Sequence, residues 1–150
     1  IDEYRRINVR GLEVLLDAAE RTGKLRKFVH ISSLGVYPAM DHYGTDESTP
    51  PNRQGIDGYT LTKVESEDLV LEHTRTKGLP AVVLRPGFIY GRGDRTILPR
   101  LLERLKSRQF AYLGSPDKVM NNTYVENLVE AIFLALDRDD VHGEVFNITD

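Results

Sequence analysis

The sequence predicts an α/β fold with a parallel sheet and flanking helices. Residues 27–33 and 81–85 have the continuous, β-branched apolar character of strands that are buried on both faces. Each of them follows a segment with helical periodicity, and this alternation is typical of α/β proteins. The chain has 150 residues, 40% hydrophobic and 29% charged, which suits one domain with one sizeable core.

The first half of the chain reads as helix, strand, loop, helix and strand. Apolar residues at helical spacing predict a helix over residues 1–22, and a following glycine supplies its stop. Residues 34–57 are rich in proline, glycine and polar residues and are predicted to form a long loop, which in a compact domain is usually functional. The second helix opens at Asp57 or Thr60 and ends near Gly78.

The second half begins with a predicted loop over residues 88–95, because two glycines lie in it. The elements predicted after it are a helix over residues 97–108, a short strand over 110–114, an extended segment over 119–125, a helix over 126–138 and a strand over 143–149. We find no internal repeat and no interdomain linker in the sequence.

Composition excludes several classes of function. The net charge is -3 without a block of like charge, so we expect no nucleic-acid partner. The absence of cysteine excludes disulfides and thiolate chemistry, and the four histidines lack ligand spacing, so we expect no metal site. No apolar run reaches the roughly 18 residues of a membrane helix, and the amino end is no signal peptide. We therefore expect a cytoplasmic protein without a membrane partner.

Tyr59 and Lys63 are four residues apart at the start of the second predicted helix. This spacing places both side chains on one face, about one turn from each other. A positive charge beside a phenol favours the phenolate, so the pair has the chemistry of a general acid or base. The alternative is a surface tyrosine packed on a lysine stem, because Tyr-x-x-x-Lys also occurs by chance.

Polar and turn-forming residues follow both buried strands. Ser32 and Ser33 end the first strand, and Pro86 and Gly87 end the second. Open α/β sheets place their ligand crevices at the carboxyl ends of the strands, so the Ser33 hydroxyl is a candidate to bind a substrate oxygen. The alternative is that the serines merely start a turn and that Pro-Gly is ordinary turn chemistry.

Six short motifs occur in one order along nearly the whole chain. They are Asn-Val-Arg-Gly at 8–11, Ile-Ser-Ser-Leu-Gly-Val-Tyr at 31–37, Tyr-Thr-Leu-Thr-Lys at 59–63, Arg-Pro-Gly-Phe-Ile-Tyr-Gly at 85–91, Tyr-Val-Glu-Asn-Leu at 124–128 and Gly-Glu-Val-Phe-Asn at 143–147. This ordered set resembles the extended short-chain dehydrogenase/reductase family, the group of NAD-dependent epimerases/dehydratases and 3β-hydroxysteroid dehydrogenases.

The resemblance implies an NAD- or NADP-dependent enzyme with a proton relay of three side chains. Tyr59 matches the catalytic acid/base, Lys63 matches the residue that binds the nicotinamide ribose and stabilises the phenolate, and Ser33 matches the hydroxyl that orients the substrate oxygen. The resemblance also implies a set of cofactor-binding residues, which comprises Asn8, Ser32, Tyr59, Lys63, Pro86, Phe88 and Ile89.

The resemblance leaves the substrate and the outcome open. A nucleotide-sugar epimerase or dehydratase is our first expectation for this small-molecule enzyme, and an alcohol or sterol dehydrogenase/reductase is the alternative. Three arginines, at positions 92, 95 and 100, lie where similar enzymes shape the substrate pocket. They bind a diphosphate or carboxylate, or they are solvated surface residues. A non-catalytic nucleotide-binding scaffold is the alternative of another class, although Ser33, Tyr59 and Lys63 are intact. The sequence does not determine the oligomeric state, but similar enzymes often dimerise through the helix that carries Tyr59, so a second copy is a candidate partner.

The chain departs from the family pattern at its ends. The family opens with a strand and a Gly-x-x-Gly-x-x-Gly turn that cradles the cofactor pyrophosphate, and residues 1–150 hold no such spacing. We therefore expect a fragment with a partial Rossmann-like sheet that lacks the N-terminal nucleotide-binding strands. Residues 1–92 are expected to be the catalytic half, and residues 93–150 the start of the substrate lobe mixed with closing Rossmann elements.

Residues 1–150 by themselves are predicted to be inactive and to bind NAD too weakly for calorimetry, because the glycine turn is missing. Titration of NAD into the isolated chain measures this directly. A clear binding isotherm with one site per chain would contradict the prediction.

Overall fold

The computed structural model describes residues 1–95, 97–109, 115 and 117–150. Its helical segments are α1 (Asp2–Tyr4), a π-helical segment (Arg5–Arg10), α2 (Gly11–Thr22), α3 (Gly58–Lys77), α4 (Ile97–Lys106) and α5 (Val125–Asp137), with 3₁₀ turns at Leu34–Val36 and Asp139–Val141. Its strands are β1 (Phe28–Ile31), β2 (Ala81–Pro86), β3 (Phe88–Tyr90), β4 (Asn122–Tyr124) and β5 (Val145–Ile148). The strand predicted over residues 110–114 lies outside the described residues.

The main sheet has three strands in the order β1-β2-β5, and both pairings are parallel. Its two faces carry different helices, because successive side chains of a strand point to opposite sides. Ala81 and Val83 pack with residues of α2 and α3, whereas Val82 and Leu84 pack with residues of α5. The predicted α/β fold, with a parallel sheet and helices on its flanks, is confirmed.

Burial differs between the two strands predicted to be buried on both faces. Every residue of β2 is buried, as expected for a strand with a neighbour on each side. The residues of β1 are only half-buried, so the prediction is wrong for this strand. The reason is its position, since β1 lies at the edge of the sheet among the described residues.

A second, two-stranded parallel sheet pairs β3 with β4. Its first strand occupies Phe88–Tyr90, where the sequence predicts a loop over residues 88–95, and that prediction is wrong. The glycines on which it rested lie beyond the strand, and the partner of the Phe-Ile-Tyr run is more than thirty residues away. Gly87 permits the close approach of the two sheets, because a Cβ atom there would lie 2.2 Å from the Asn121 carbonyl oxygen.

Capping residues determine where α2 and α3 begin or end. α2 ends at Gly23 in the left-handed region, with φ 60°, and α3 ends in the same way at Gly78, with φ 69°. Of the two candidates to open α3, the structure selects Asp57, whose carboxylate accepts a hydrogen bond from the Thr60 amide, 2.8 Å. Hydrogen bonds from the amide and the hydroxyl of Thr60 lower the pKa of Asp57.

The first helix is interrupted where the sequence predicts one continuous helix. Residues Arg5–Arg10 adopt π-helical geometry between α1 and α2. π-helical segments are rare in proteins, and those that occur are often near functional sites.

Among the described residues, no helix is both long and apolar enough to cross a membrane.

β5 lies in the part of the chain predicted as the start of a substrate lobe, yet it joins the main sheet beside β2. This position suits the closing Rossmann elements that were predicted to be mixed into residues 93–150. The boundary at about residue 92 stays a prediction.

Candidate active site

Helix α3 presents Tyr59 and Lys63 on one face near its amino end. The Lys63 ammonium lies 5.8 Å from the centre of the Tyr59 ring. Lys63 Nζ donates a hydrogen bond to the Ile31 carbonyl oxygen at the end of β1, 2.8 Å, which fixes the ammonium at the edge of the sheet. Tyr59 is 40% exposed, so its phenol is accessible to a ligand. The structure thus brings the predicted pair together and anchors one member to the strand end.

Two opposing effects act on the charge of Lys63. Its partial burial lowers the pKa of the ammonium, and the carboxylate of Glu67, one turn further along α3, raises it. Burial is the larger effect, so the pKa of Lys63 lies below its ordinary value. A half-buried cation of this kind is less screened by water than a surface lysine and acts more strongly on its neighbours.

Ser33 begins the 3₁₀ turn that follows β1. Its Oγ accepts a hydrogen bond from the Gly35 amide, 3.0 Å, so the hydroxyl proton can still be donated to a ligand. The turn packs against the first turn of α3, because a Cβ atom on Gly35 would lie 3.2 Å from Thr60 Cγ2. The structure therefore places the Ser33 turn against the helix that carries Tyr59. Ser33 starts the turn and keeps a hydroxyl proton that no described residue accepts.

Two buried polar atoms near the end of β1 lack a partner among the described residues. They are His30 Nε2 and Ser32 Oγ. Ser32 is only 3% exposed, and an unsatisfied hydroxyl at such burial costs free energy unless a ligand or water supplies its partner. A role of this hydroxyl in cofactor binding stays a prediction.

Asn8 lies in the π-helical segment and is bonded to α3. Its side-chain amide donates a hydrogen bond to Thr62 Oγ1, 3.0 Å, and its main-chain carbonyl oxygen accepts one from Ser66 Oγ, 3.1 Å. Thr62 and Ser66 flank Lys63 along α3, so Asn8 holds the helix beside the candidate relay. Contact of Asn8 with a cofactor stays a prediction.

Pro86, Phe88 and Ile89 lie where the main chain leaves β2. Pro86 is paired with Ile148, at the same edge of the sheet as the Ser33 turn. The Phe88 amide donates to the Asn121 carbonyl oxygen, 2.8 Å, so this amide is used within the second sheet. The side chains of Phe88 and Ile89 are 38% and 40% exposed. Their role against a nicotinamide ring stays a prediction.

Sequence reasoning missed a polar cluster directly behind the relay, formed by Glu67, Arg85 and Tyr37. Arg85 Nη2 donates to Glu67 Oε2, 2.6 Å, and Arg85 Nη1 donates to Tyr37 Oη, 2.7 Å. A signal for it was present in the sequence. Glu67 stands between Val64 and Val70 on the buried face of the helix, and a carboxylate there requires a buried cation as partner.

His30 gives the fold a specific pH dependence. Burial, with a smaller effect of the Lys63 charge, lowers its pKa to about 4. The unfolded chain binds a proton at His30 near pH ~6.5 and the folded chain does not, so the free energy of unfolding falls by about 3 kcal/mol as the pH decreases between these values. Urea unfolding at pH 7 and pH 4 should show a smaller loss of stability in His30→Leu than in the parent. Equal losses in both proteins would contradict the assignment.

The chain matches known proteins over almost its full length. The model of the NAD dependent epimerase/dehydratase family matches residues 1–149. A 4-hydroxy-2-methyl-3-oxo-4-farnesyl-3,4-dihydroquinoline-1-oxide ketoreductase from Stigmatella aurantiaca is 34% identical over 99% of this chain and 44% of the relative. A decarboxylating sterol-4-alpha-carboxylate 3-dehydrogenase from Candida albicans is 36% identical over 97% of this chain and 44% of the relative. The chain thus spans less than half the length of these curated relatives.

Solved structures with a similar fold also match most of this chain. UDP-glucuronic acid 4-epimerase from Bacillus cereus, in complex with UDP-glucuronic acid and NAD, superposes with a TM-score of 0.81 at 26% identity, over 95% of this chain and 45% of that one. RMD from Pseudomonas aeruginosa, complexed with NADPH, superposes with a TM-score of 0.77 at 25% identity, over 95% and 51%. With its parallel sheet and this match over residues 1–149, the chain belongs to the NAD-dependent epimerase/dehydratase family of extended short-chain dehydrogenases/reductases.

Proposed function

We propose that this chain carries the proton-transfer residues of an NAD(P)-dependent enzyme that acts at a carbinol carbon. The observation that carries the proposal is the position of Lys63, whose ammonium is bonded to the end of β1 and lies 5.8 Å from the ring of an accessible Tyr59. A cation held beside a phenol at the ligand edge of a parallel sheet is suited to proton exchange with a substrate hydroxyl or carbonyl.

Each of the three side chains has a separate task in this proposal. Tyr59 removes the proton of a substrate hydroxyl, or returns one to a carbonyl oxygen. Lys63 stabilises the phenolate by its charge, and Ser33 donates its hydroxyl proton to the substrate oxygen and so orients it. When bound, the nicotinamide supplies the acceptor or donor of the hydride. Asn8, Ser32, Tyr59, Lys63, Pro86, Phe88 and Ile89 are the residues that we propose hold this cofactor.

Two substrate classes are supported by different observations. A nucleotide sugar is our first candidate, since the Bacillus cereus epimerase was solved with UDP-glucuronic acid and superposes over 95% of this chain. The exposed side chains of Arg92 and Arg95 line a cavity of about 310 Å³ after β3 and suit a diphosphate. A sterol or other apolar alcohol is the second candidate, because the sterol dehydrogenase relative is more similar in sequence, at 36% identity.

A turnover screen of the full-length protein separates these classes. UDP-glucose, UDP-glucuronic acid and 3β-hydroxysteroids are incubated with NAD and with NADP, while absorbance at 340 nm follows redox and chromatography follows epimerisation or dehydration. Turnover of the UDP-sugars alone supports the first candidate, and turnover of the steroids alone supports the second. Absence of turnover with every substrate, in a protein that binds NAD or NADP, supports the non-catalytic scaffold and contradicts the proposal.

A homodimer is proposed for the same protein. Ile7, Val14 and Leu15 are 58%, 65% and 55% exposed along the first helical segments, which pack beside α3. Exposed apolar side chains on neighbouring helices favour association with a second copy. Sedimentation of the full-length protein tests this, and a monomer at micromolar concentration would contradict it.

A further inference from the structure

The buried ion pair of Glu67 and Arg85 lies behind the candidate relay, and neither residue takes up or gives up a proton in the proposed transfer. The two residues are 1% and 3% exposed. Arg85 Nε donates to Glu67 Oε1, 3.0 Å, and Arg85 Nη2 donates to Glu67 Oε2, 2.6 Å, so the pairing is a two-point fork with fixed geometry. A lysine or a shorter acid cannot reproduce this fork.

The pair joins α3 to the middle strand of the sheet one turn from Lys63. Glu67 follows Lys63 by four residues and Tyr59 by eight, so all three share one side of the helix. Arg85 belongs to β2, whose neighbour β1 ends at the carbonyl oxygen that holds the Lys63 ammonium. The two hydrogen bonds therefore fix the distance of α3 from the sheet and its rotation about its own axis, close to the turns that carry Tyr59 and Lys63.

A third residue extends the connection to the turn that carries Ser33. Arg85 Nη1 donates to Tyr37 Oη, 2.7 Å, and the guanidinium lies 5.1 Å from the centre of the Tyr37 ring. Tyr37 ends the 3₁₀ turn that begins at Ser33. Arg85 thus contacts both α3 and the Ser33 turn, the two segments whose relative position sets the geometry of the relay.

Stability alone is a weak reason for a buried ion pair. Well-packed apolar residues of similar volume are often as stable or more stable, because both charges must be desolvated. Fixed hydrogen-bond geometry, by contrast, is a property that an apolar pair lacks. The carboxylate also raises the pKa of Lys63 against the effect of burial, which helps to keep the ammonium charged.

We propose that Glu67 and Arg85 are positioning residues, which hold Tyr59 and Lys63 in register with the Ser33 turn. This inference rests on the proposed function. The main test is the double variant Glu67→Leu/Arg85→Met of the full-length protein, assayed with the substrate found in the screen. We expect a melting temperature close to that of the parent and a kcat lower by about 10- to 100-fold, because a displacement of about 1 Å costs this much.

Two further readouts separate positioning from a purely structural role. The acidic limb of the pH–rate profile should move to higher pH, since a displaced Lys63 stabilises the phenolate less. Lysine ε-carbon NMR, assigned with Lys63→Met, should show a changed chemical shift for Lys63 at a pH where the ammonium is charged, because a displaced ammonium no longer donates to the Ile31 carbonyl oxygen. A double variant with an unchanged melting temperature, kcat and acidic limb overturns the inference.

A second variant keeps the inference testable if the double variant does not fold. Arg85→Lys retains the charge but loses the fork, and we expect a folded protein with kcat reduced by at least about tenfold. An unchanged kcat in Arg85→Lys overturns the inference. The matched control is Glu20→Gln, which removes the carboxylate charge that faces Lys77 and His73 at the far end of α3 and should leave the acidic limb in place.

Tyr59→Phe separates failure of the proposed function from failure of the positioning role. If Tyr59→Phe retains turnover, the proton relay itself is wrong. If Tyr59→Phe is inactive while both ion-pair variants behave as the parent, the relay stands and only the positioning role fails.

Discussion

Tyr59→Phe is expected to abolish turnover by the full-length protein while its affinity for NAD or NADP stays within a few-fold of the parent value. The substitution removes one oxygen and keeps the ring, so the position of Lys63 and its bond to Ile31 are retained. Loss of a general acid or base typically costs about 10²- to 10⁴-fold in rate. Steady-state kinetics with the identified substrate, and cofactor titration by intrinsic fluorescence, measure both quantities.

The matched control for this change is Tyr4→Phe. Tyr4 is 48% exposed, similar to Tyr59, and its ring lies against Gly58 at the start of the same helix. Removal of the Tyr4 hydroxyl should leave kcat unchanged, because this phenol is not beside Lys63. A kcat for Tyr59→Phe within about threefold of the parent would remove Tyr59 from the catalytic role.

The general fold was predictable because local signals and tertiary packing agree. The apolar run of β2 predicts a strand buried on both faces, and the structure surrounds it with β1 and β5 and with helices on either side. Asp57 and Gly78 likewise predict the ends of α3 from local chemistry alone. β3 was missed because it pairs with β4, its strand partner among the described residues, and pairing between segments distant in sequence leaves no periodic signal.

The sequence predicts the candidate relay but not the ion pair behind it. The sequence predicts the proximity of Tyr59 and Lys63 because both lie on one helix at a spacing that fixes it. It predicts Ser33 as a candidate because the end of a parallel strand is a ligand edge. The fork between Glu67 and Arg85 joins a helix to a strand eighteen residues away, and which buried acid meets which buried base depends on how α3 packs on the sheet. Only the tertiary structure supplies that pairing.

Arg85→Met alone is expected to lower the free energy of unfolding by about 3–5 kcal/mol, the largest loss of stability among the substitutions considered. The change leaves the Glu67 carboxylate 1% exposed and without the guanidinium that donates to both of its oxygens. An uncompensated buried charge costs far more than the methionine side chain recovers by packing. Urea unfolding of the parent, Arg85→Met, Glu67→Leu and the double variant at pH 7 completes a double-mutant cycle.

The decisive quantity in this cycle is the coupling energy between the two sites. If the fork is desolvated as the structure indicates, each single variant is strongly destabilised, and the double variant recovers most of the loss because no charge remains buried. Additive losses in the double variant would mean that water reaches Glu67 or Arg85, contrary to their burial. Recovered stability together with a reduced kcat would separate the effect of the fork on stability from its effect on the geometry of the relay. A double variant that is stably folded but slow has kept its packing and has lost the relative position of α3 and the Ser33 turn.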